Sequence, residues 1–590
     1  MPESKLRRAV WLLASFHYVV STESTRPRSS TAGFISLAPN RQDISVACFR
    51  SLLYRCTALH WEVAKSKLLR WVHRAVAQSA HWTGREASIE LGMQFARDGR
   101  HAAEAGAMSR RDALKTLGAL AALPVLTSAG CGKERRLANT SVAIVGGGLA
   151  GLTAALRLKD LGMSPVVYER SQRFGGRAWT VDGVLPEGRR FEAGGEFIDQ
   201  QHERMLGLAD RFGVVLDDLE ALDLEGMRYL IQGQEVTLDE LTAATEPFLP
   251  AFLADSAALE ANYDAKAVEL DALTCTEYWN AVGVNGVLRA VLEVAMVTEF
   301  GREPSHISAL HFVEDLPQVH DGSVGGDGME RYKFRDGTQA LVSSMVNALG
   351  GMSSDGMRTG FAIQRVSKQG RGFTLEWDGH PPEEVDIVLL ALPLPALRTI
   401  EFQGIDIPSA LADYIADTGM GTHAKVIAGV DSKPWSEAGY DGEVLTDAAP
   451  QTCWDSNPLL QGPGSLTFLL GGEAGAEVHA NDADGIVTQF VEDLAPLNLG
   501  LSDIRSGHDW AINWAEEEGY GGSYSCLDRG QYTAAMDHFF FGGDEDERQV
   551  SFVGHLGFIG EAFSGDFWGY MEGAAQTGWM AAHHVVDELA

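Results

Sequence analysis

Cysteine is scarce in this chain, and its spacing points to no metal site. Six cysteines occur among 590 residues, none in a CxxC pair, and no cluster of cysteine and histidine has the spacing of metal ligands. No apolar run reaches 18 residues, the length expected of a membrane-spanning helix. The sequence therefore predicts neither a metal centre nor a transmembrane segment.

Positive charge is also scarce beyond residue 136. Residues 1–136 hold 21 Lys and Arg against 10 Asp and Glu, whereas the rest of the chain holds 26 against 71. A body this acidic would repel a phosphate backbone, so we predict no nucleic-acid partner. With 45% hydrophobic and 22% charged residues, the composition is that of an ordinary globular protein.

The basic first part contains a segment with the order of a signal peptide. In "MSRRDALKTLGALAALPVLTSAGC", residues 108–131, Arg110 and Arg111 precede a short apolar stretch, and small residues lead to Cys131. This order is typical of export signals, and the paired arginines indicate the twin-arginine route. The end resembles a lipid-attachment box, so Cys131 is a candidate for a lipid anchor. The alternative is a buried helix that follows a chance arginine pair.

Export signals stand at an N-terminus, whereas this one begins at residue 108. Residues 1–107 show no sustained helical or strand period, and we interpret them as a non-native or disordered extension before a true start at Met93 or Met108. A genuine N-terminal domain is the alternative. With residues 108–138 as a twin-arginine signal and lipobox, the expected location is periplasmic or extracytoplasmic and membrane-anchored. Without export it is cytoplasmic.

The stretch "SVAIVGGGLAGLTAALRLKDLGMSPVVYER", from residue 141, predicts a dinucleotide site. An apolar strand, Val142–Val145, runs into Gly146, Gly148 and Gly151, a G-x-G-x-x-G pattern that opens a helix. The first glycine permits a tight turn, the second lets the backbone approach a pyrophosphate, and the third lets helix and strand pack closely. Glu169 ends the second predicted strand, where a carboxylate binds ribose hydroxyls. These features do not choose between NAD and FAD.

The residues that follow distinguish between these two cofactors. Gly175-Gly176-Arg177 comes directly after the second strand, and "FEAGGEFIDQQHERMLGLADRFGV" follows after a short gap. Here the chain resembles the flavin-dependent amine oxidase family, which includes monoamine, polyamine and L-amino-acid oxidases. The resemblance implies FAD as the cofactor. It places Gly176 and Arg177 at the pyrophosphate, and Gly195 and Glu196 in the segment that closes on the flavin.

The resemblance extends, with gaps, over about residues 139–588 and implies further contacts with FAD. Val366 would line the adenine pocket, and Trp514 would lie in the turn onto the flavin. In "FIGEAFSGDFWGYMEGAAQTGWM", Gly560 and Glu561 would meet the pyrophosphate and ribityl region. A helix that opens near Met571 would direct the positive end of its dipole at the flavin and stabilise negative charge there.

One lysine and three aromatic residues are the implied catalytic group. "GTHAKVIAGV" carries Lys425, which the resemblance places beside flavin N5, where a cation that holds a water would assist oxygen reduction. Tyr524 and Tyr570 would form two walls of a cage around the substrate amine, with Trp568 crowding it. Ser523 stands where covalent relatives have a cysteine. A hydroxyl cannot form that thioether, so we predict non-covalent FAD.

The implied activity is that of an oxidase. Hydride would pass from the α C–H of a primary or secondary amine, or of an L-amino acid, to flavin N5. Oxygen would then reoxidise the flavin and yield hydrogen peroxide, and the imine product would hydrolyse. The alternatives are a desaturase-like or protoporphyrinogen-oxidase-like flavoenzyme and a non-catalytic FAD-binding scaffold.

The substrate stays open at this point. An amino acid needs an arginine for its carboxylate, and the nearest guesses, Arg302 and Arg331, are better explained as framework. Glu196 and Asp199 are candidates for a second cationic group of the substrate, although a framework role is favoured for them too. A homodimer is the candidate assembly, but the sequence does not fix the oligomeric state.

The fold implied by the resemblance is of the α/β class. A Rossmann-like FAD-binding domain would be interleaved with an α+β substrate domain. The FAD segments are expected at residues 139–207, 328–402 and 518–590, and the substrate segments at 208–327 and 403–517.

Overall fold

The structure describes most of the chain beyond residue 136. In this computed structural model the described residues are 137, 139–222, 226–314, 318–320, 323–325, 330–352, 354–541 and 551–589. The interpreted extension 1–107 and all but the end of the segment 108–138, Cys131 included, lie outside them. The interpretations of those segments stay predictions.

The described residues form both strands and helices. In chain order the strands are β1 (Val142–Val145), β2 (Val166–Glu169), β3 (Thr180–Val181), β4 (Phe191–Glu192), β5 (Phe197–Ile198), β6 (Leu216–Asp218), β7 (Arg228–Ile231), β8 (Gln234–Val236), β9 (Gln318–His320), β10 (Ser323–Gly325), β11 (Tyr332–Phe334), β12 (Met357–Thr359), β13 (Ile363–Gln369), β14 (Gly372–Trp377), β15 (His380–Val385), β16 (Ile387–Leu390), β17 (Glu401–Gln403), β18 (Gly419–Met420), β19 (Ala424–Val430), β20 (Val444–Thr446), β21 (Thr452–Asp455), β22 (Gly464–Leu470), β23 (Trp510–Asn513), β24 (Ser525–Cys526), β25 (Phe552–Val553) and β26 (Leu556–Phe558). The α-helices are α1 (Leu149–Asp160), α2 (Glu203–Phe212), α3 (Leu238–Thr245), α4 (Leu249–Ala261), α5 (Tyr263–Asp271), α6 (Cys275–Val282), α7 (Gly286–Phe300), α8 (Ala309–Glu314), α9 (Thr338–Ala348), α10 (Leu394–Leu397), α11 (Ser409–Asp417), α12 (Pro434–Glu437), α13 (Gly472–Ala476), α14 (Ala483–Asp493), α15 (Leu501–Ile504), α16 (Tyr532–Ala535) and α17 (Met571–His584).

A six-stranded sheet forms the centre of the first part of the fold. Its strand order is β12-β2-β1-β16-β26-β25, and every neighbouring pair is parallel except β26 and β25. Strands β1 (VAIV) and β16 (IVLL) are fully buried apolar runs, as expected where both faces of a parallel sheet are covered. The carboxyl ends of the parallel strands meet at one edge, which is where ligands of such sheets bind.

Helix α1 follows β1 through the predicted glycine turn. A Cβ atom on Gly151 would lie 2.0 Å from the carbonyl oxygen of Gly146, so only glycine lets α1 approach the turn this closely. The long C-terminal helix α17 packs on α1 in the same manner, because a Cβ atom on Gly578 would lie 2.2 Å from the carbonyl oxygen of Ala150. The first and last helices of the described fold therefore share one core beside β1.

A seven-stranded, mostly antiparallel sheet forms the second part. Its order is β23-β19-β22-β21-β20-β7-β8, and helices α3 to α8 pack with it around a second apolar core that includes the buried Trp279 and Phe312. The strands of the first sheet all come from the predicted FAD segments, and those of this sheet from the predicted substrate segments. The interleaved architecture is as expected, while the segment boundaries stay a prediction.

Two smaller sheets accompany these parts. The sheet β15-β14-β13-β17 packs beside the first sheet, and in the sheet β5-β11-β6 antiparallel pairing places Lys333 opposite Phe197. Within the described residues, no helix combines the length and apolar character needed to cross a membrane.

Candidate active site

A large cavity is lined by both parts of the fold and by the carboxyl ends of the parallel strands. Its volume is about 1600 Å³. A pocket for one drug-sized ligand measures about 300–1,000 Å³, so this cavity has room for a dinucleotide together with a substrate. The predicted site residues that line it are Gly146, Gly148, Glu169, Gly176, Arg177, Gly195, Glu196, Lys425, Trp514, Tyr524, Gly560, Glu561, Trp568, Tyr570 and Met571.

Backbone forms the phosphate end of the cavity. Gly146 has a φ of +108°, and a Cβ atom there would lie 2.2 Å from the carbonyl oxygen of Ala391, so the turn requires glycine. At Gly148 a Cβ atom would meet nothing closer than the Cα of Gly176, 3.9 Å away. These two facing glycines leave an open cradle at the N-terminus of α1, where N–H groups favour a bound phosphate.

Glu169 lies at the carboxyl end of β2, as predicted. Its Oε2 accepts a hydrogen bond from the N–H of Gly147, and its Oε1 accepts one from the N–H of Ser171, both at 2.8 Å. These bonds fix the carboxylate beside the glycine turn. Each oxygen keeps further acceptor capacity, so the group can still receive the hydroxyls of a ribose.

Arg177 connects the first and last predicted FAD segments. It forms an ion pair with Glu561 at 2.9 Å and donates a hydrogen bond to the carbonyl oxygen of Ser523 at 2.5 Å. Glu561 also accepts a hydrogen bond from the hydroxyl of Ser525 at 2.7 Å. Arg177, Gly560 and Glu561 therefore line one region of the cavity.

Val366 does not occupy its predicted place. It is completely buried in β13, between β14 and β17, whereas Ile363 lines the cavity. The pairing of β13 with β14 shifts register between Ile363 and Arg365, and such an irregularity changes which side chains face a cavity. The prediction of Val366 as an adenine contact is therefore wrong, and Ile363 forms that part of the wall.

Lys425 is a buried lysine near the start of β19, with 6% of its surface exposed. Its Nζ donates to Oε2 of Glu196 at 2.7 Å and to the carbonyl oxygens of Gly194 and Glu192 at 2.9 and 3.2 Å. These contacts use all three N–H bonds of an ammonium group. They support a fixed positive charge at the cavity wall, but they do not support the predicted water bound to Lys425.

The carboxylate of Glu196 accepts hydrogen bonds from two lysines, Lys425 and Lys333. Its second carboxylate oxygen, Oε1, accepts hydrogen bonds from Lys333 at 2.5 Å and from the indole N–H of Trp454 at 3.0 Å. Burial alone would raise the pKa of Glu196, but Lys333 and Lys425 outweigh that effect and hold the pKa at about 2. The carboxylate is thus ionised and holds Lys425 in place, while Glu196 also lines the cavity, so its predicted contact with the cofactor stays a prediction.

Tyr524 and Tyr570 meet at Glu299, near the end of α7. The hydroxyl of Tyr524 donates to the backbone carbonyl of Glu299, and the hydroxyl of Tyr570 donates to its carboxylate at 3.1 Å. Both rings line the cavity, as the predicted cage requires. Burial raises the pKa of Glu299, and nearby Asp199 adds to the rise, while the hydrogen bond from Tyr570 partly opposes it.

His423 contacts the hydroxyl group of Tyr524 and helps to position its ring. Its Nε2 lies 2.9 Å from the carbonyl oxygen of Thr298 and 3.2 Å from the hydroxyl of Tyr524, and its Nδ1 lies 2.7 Å from the hydroxyl of Ser523. Burial lowers the pKa of His423 to about 4, so the ring is neutral at physiological pH. A neutral ring donates from one nitrogen and accepts at the other, which suits these partners.

Trp568 forms an aromatic wall with His311. Their rings stack with centroids 5.1 Å apart and planes inclined by 18°. His311 is 5% exposed, and its Nε2 has no hydrogen-bond partner among the described residues. Burial lowers the pKa of His311 to about 3, which keeps the ring uncharged. The two side chains therefore give this part of the cavity a largely apolar face.

Trp514 and Met571 complete the wall around Gly195. The indole N–H of Trp514 donates to the carbonyl oxygen of Ala193 at 2.9 Å. A Cβ atom on Gly195 would lie 2.8 Å from the sulfur of Met571, so glycine is needed where this segment crosses the start of α17. The N-terminus of α17 thus lies at the cavity, where its dipole favours negative charge.

These residues fit FAD. The cradle between Gly148 and Gly176 would hold the pyrophosphate, and Glu169 would hold the ribose. The N-terminus of α17 would favour the electron-rich edge of the flavin ring. Lys425 and the tyrosine pair, which also line the cavity, would then contact the reacting part of the cofactor and the substrate.

Comparison with known proteins agrees with this geometry. The family model for flavin-containing amine oxidoreductases matches residues 149–586, most of the chain. The chain belongs to this amine oxidoreductase family. FAD is accordingly its cofactor.

Several amine oxidases are similar to this amine oxidoreductase in sequence or in structure. The flavin-containing amine oxidase of Danio rerio is 25% identical over 75% of this chain and 85% of its own length, and amine oxidase A of Sus scrofa is 24% identical over 76% and 85%. Putrescine oxidase bound to putrescine matches with a TM-score of 0.63 at 20% identity, over 76% of this chain and 99% of that one. Cyclohexylamine oxidase from Brevibacterium oxydans IH-35A matches with 0.64 at 22%, over 76% and 99%. These structural likenesses show the two-domain fold.

Several residues of the amine oxidoreductase cavity were missed from the sequence. Those that line the cavity are Glu299, Glu330, His423 and Trp454, and Lys333 contacts Glu196 from outside the cavity lining. A signal existed for one of them, because Glu299 is one of only two acids in the largely apolar helix "GVLRAVLEVAMVTEF" and lies at its end. The others become recognisable only when distant segments pack together.

We expect acid precipitation of this amine oxidoreductase to release its FAD. The hydroxyl oxygen of Ser523 lies 2.7 Å from Nδ1 of His423 and 3.1 Å from the carbonyl oxygen of Gly421, so a hydroxyl and not a thiol stands at that position. Cys453 lines the cavity, but burial raises the pKa of its thiol and so disfavours the reactive thiolate. The yellow colour should remain in the supernatant. A coloured pellet, with flavin on a cysteine-containing peptide, would contradict non-covalent binding.

Proposed function

We propose that this protein is an FAD-dependent oxidase of amines that releases hydrogen peroxide and an imine that hydrolyses. The observation that carries the proposal is that one cavity joins a dinucleotide cradle to Lys425 and a tyrosine pair. Bound FAD would supply the hydride acceptor for the α C–H of the amine and pass the electrons to oxygen. The side chains of this chain would bind, orient and shield the reactants.

The tyrosine pair supports an amine as the group that is oxidised. Two aromatic faces would stabilise the positive charge that develops at the amine nitrogen as hydride leaves. Glu299 fixes both hydroxyls, so the rings are oriented before a substrate enters. Trp568 and His311 add an apolar wall that excludes water and favours the uncharged amine, the form from which hydride can leave.

A cluster of carboxyl groups at the cavity favours a substrate with a second positive charge. Glu330 opens onto the cavity, and burial raises its pKa well above the usual range, with Glu443, Glu299 and Asp199 raising it further. Carboxylates that repel one another in this way gain stability when a cation binds among them. We therefore propose a diamine or polyamine as the preferred substrate.

An L-amino acid is the less supported alternative. Arg302 pairs with Asp528 at 2.7 Å and does not line the cavity. Arg331 lines the cavity but pairs with Asp218 at 2.7 Å. Neither arginine offers a substrate carboxylate an unshared charge, and the acidic wall would repel it.

A peroxide assay on the purified yellow protein tests this proposal. The panel should contain linear monoamines, diamines and polyamines of matched length, aromatic amines and L-amino acids. We expect the highest kcat/KM with a diamine or polyamine and little turnover of amino acids. Bound FAD with no peroxide from any amine would instead favour a desaturase-like flavoenzyme or a scaffold.

Replacing Glu330 by glutamine should separate diamines from monoamines. We expect the KM for the best diamine to rise roughly tenfold, a loss of about 1.4 kcal/mol in binding, while kcat stays nearly constant. The matching monoamine should be little affected, because it has no second charge to pair. Glu376→Gln is the control, since Glu376 pairs with Arg365 outside the cavity. Equal changes for both amines would refute the acidic subsite.

A further inference from the structure

Lys333 is a second buried lysine behind the reacting end of the cavity. It lies on β11 and is 8% exposed. Its Nζ donates to Oε1 of Glu196 at 2.5 Å and to the carbonyl oxygen of Ser456 at 2.6 Å. Lys333 does not itself line the cavity, so any effect it has on a bound group must pass through Glu196.

Glu196 is shared between two ammonium groups, one on each of its oxygens. Lys425 binds Oε2 at 2.7 Å, and Lys333 binds Oε1 together with the indole of Trp454. The carboxylate side chain is 2% exposed, and those of Lys425 and Lys333 are 8% and 11% exposed. Water can therefore screen this cluster only weakly.

Two lysines that share one carboxylate leave an excess of positive charge. Two other carboxyl groups interact electrostatically with Glu196: Glu330 on the cavity wall, and Glu192, whose acidic oxygens are held by the hydroxyls of Thr180 and Thr338. Burial raises the pKa of Glu192, although the hydrogen bonds from Thr338 and the charge of Lys333 oppose the rise, and its carboxyl oxygens contact hydroxyl groups rather than either lysine. Burying an uncompensated charge is costly, so a purely structural clamp would be expected to balance its charges.

The same fold contains such a balanced clamp for comparison. Lys433 pairs with Asp455 at 3.0 Å, and the two side chains are 5% and 2% exposed. This pair has one lysine, one carboxylate and no place in the cavity wall. The cluster around Glu196 differs in having an extra lysine and in facing the cavity through Lys425.

We propose that Lys333 is a positioning residue for the reacting end of the site: by sharing Glu196, it leaves the charge of Lys425 partly uncompensated toward the flavin. Without Lys333, Glu196 would pair with Lys425 alone and cancel its charge. This inference rests on the proposed binding of FAD in the cavity. It does not depend on which amine is oxidised.

Two substitutions with opposite electrostatic effects test the proposal. Lys333→Met removes one positive charge, whereas Glu196→Gln removes the negative charge. The readouts are the dissociation constant of sulfite, an anion that adds reversibly to oxidised flavins, and the midpoint potential of the bound flavin. Both are measured without an amine substrate, so they report on the charge near the flavin and not on turnover.

We expect Lys333→Met to weaken sulfite binding and lower the potential, and Glu196→Gln to do the reverse, with sulfite affinity changing about three- to tenfold each way for one unscreened charge. Lys333→Arg should restore wild-type values. Lys433→Met, which disrupts the balanced clamp, should leave both readouts unchanged. If Lys333→Met does not fold, Lys333→Gln replaces it, because glutamine keeps a donor for Glu196 but not the charge.

Shifts in the same direction for the two variants, or values within about twofold of wild type, would overturn the proposal. So would a Lys433→Met variant that shifts like Lys333→Met. A protein that takes up no flavin would instead overturn the proposed function, and with it the ground of this inference. Flavin binding without amine turnover would leave the sulfite and potential measurements decisive.

Discussion

Replacing Lys425 by methionine is expected to slow the reoxidation of the reduced enzyme by oxygen about a hundredfold or more. Methionine nearly fills the space of the lysine stem but removes the ammonium group fixed by Glu196, Gly194 and Glu192. Oxygen reduction builds up negative charge, and a preorganised cation in a dry site stabilises it more than water does. Reduction of the flavin by the amine involves no oxygen and so forms no anion of reduced oxygen. The rate of this step should therefore change much less.

Rapid mixing separates these two steps. The reduced variant is mixed with oxygen, and in a second experiment the oxidised variant is mixed with the amine in the absence of oxygen. Lys433→Met serves as the matched control for the loss of a buried lysine, and it should behave like the wild type. Equal slowing of both steps would mean that Lys425 supports the architecture of the site rather than its reaction with oxygen.

The parts of the site that the sequence predicted correctly are those built from neighbouring residues. The turn from β1 into α1 and the carboxylate of Glu169 depend on residues that lie within one short segment. Glycine is required there by local geometry, as the φ of Gly146 shows. Such requirements can be recognised in the sequence without knowledge of the rest of the fold.

The charges around Lys425 could not be predicted in this way. Lys333 lies 137 residues from Glu196 and Lys425 lies 229 residues from it, yet all three meet in the folded chain. The resemblance implied a lysine that holds a water, whereas packing buries Lys425 and directs its three N–H bonds to protein oxygens. A contact between distant segments leaves no spacing or period in the sequence.

Val366 shows a different limit of predicting site residues from the sequence. Side chains of a strand alternate between its two faces, so an error of one position exchanges the core and the cavity. The register shift in β13 breaks that alternation beside Ile363. Even a correct strand assignment would therefore not decide which residue faces the cavity.

Replacing Gly148 by valine is expected to yield a folded protein that binds FAD at least about a hundredfold more weakly, since two lost hydrogen bonds to a charged phosphate are worth about 3 kcal/mol. Gly148 has an ordinary φ of −78°, and a Cβ atom there meets nothing within 3.9 Å, so the apoprotein has room for the side chain. The branched methyl groups would instead fill the cradle opposite Gly176 and keep a pyrophosphate from the N–H groups of α1.

Two other glycines show why the effect should be on the cofactor and not on folding. Valine at Gly146 would strike the carbonyl oxygen of Ala391 in a backbone conformation that side chains avoid, so Gly146→Val should lower the melting temperature of the apoprotein sharply. Gly207 is exposed on α2 with open space around it, so Gly207→Val should leave flavin binding unchanged. The melting temperature of each apoprotein and a flavin titration give the two quantities independently. A Gly148→Val protein that purifies yellow and binds FAD like the wild type would place the pyrophosphate elsewhere and remove the foundation of the proposed site.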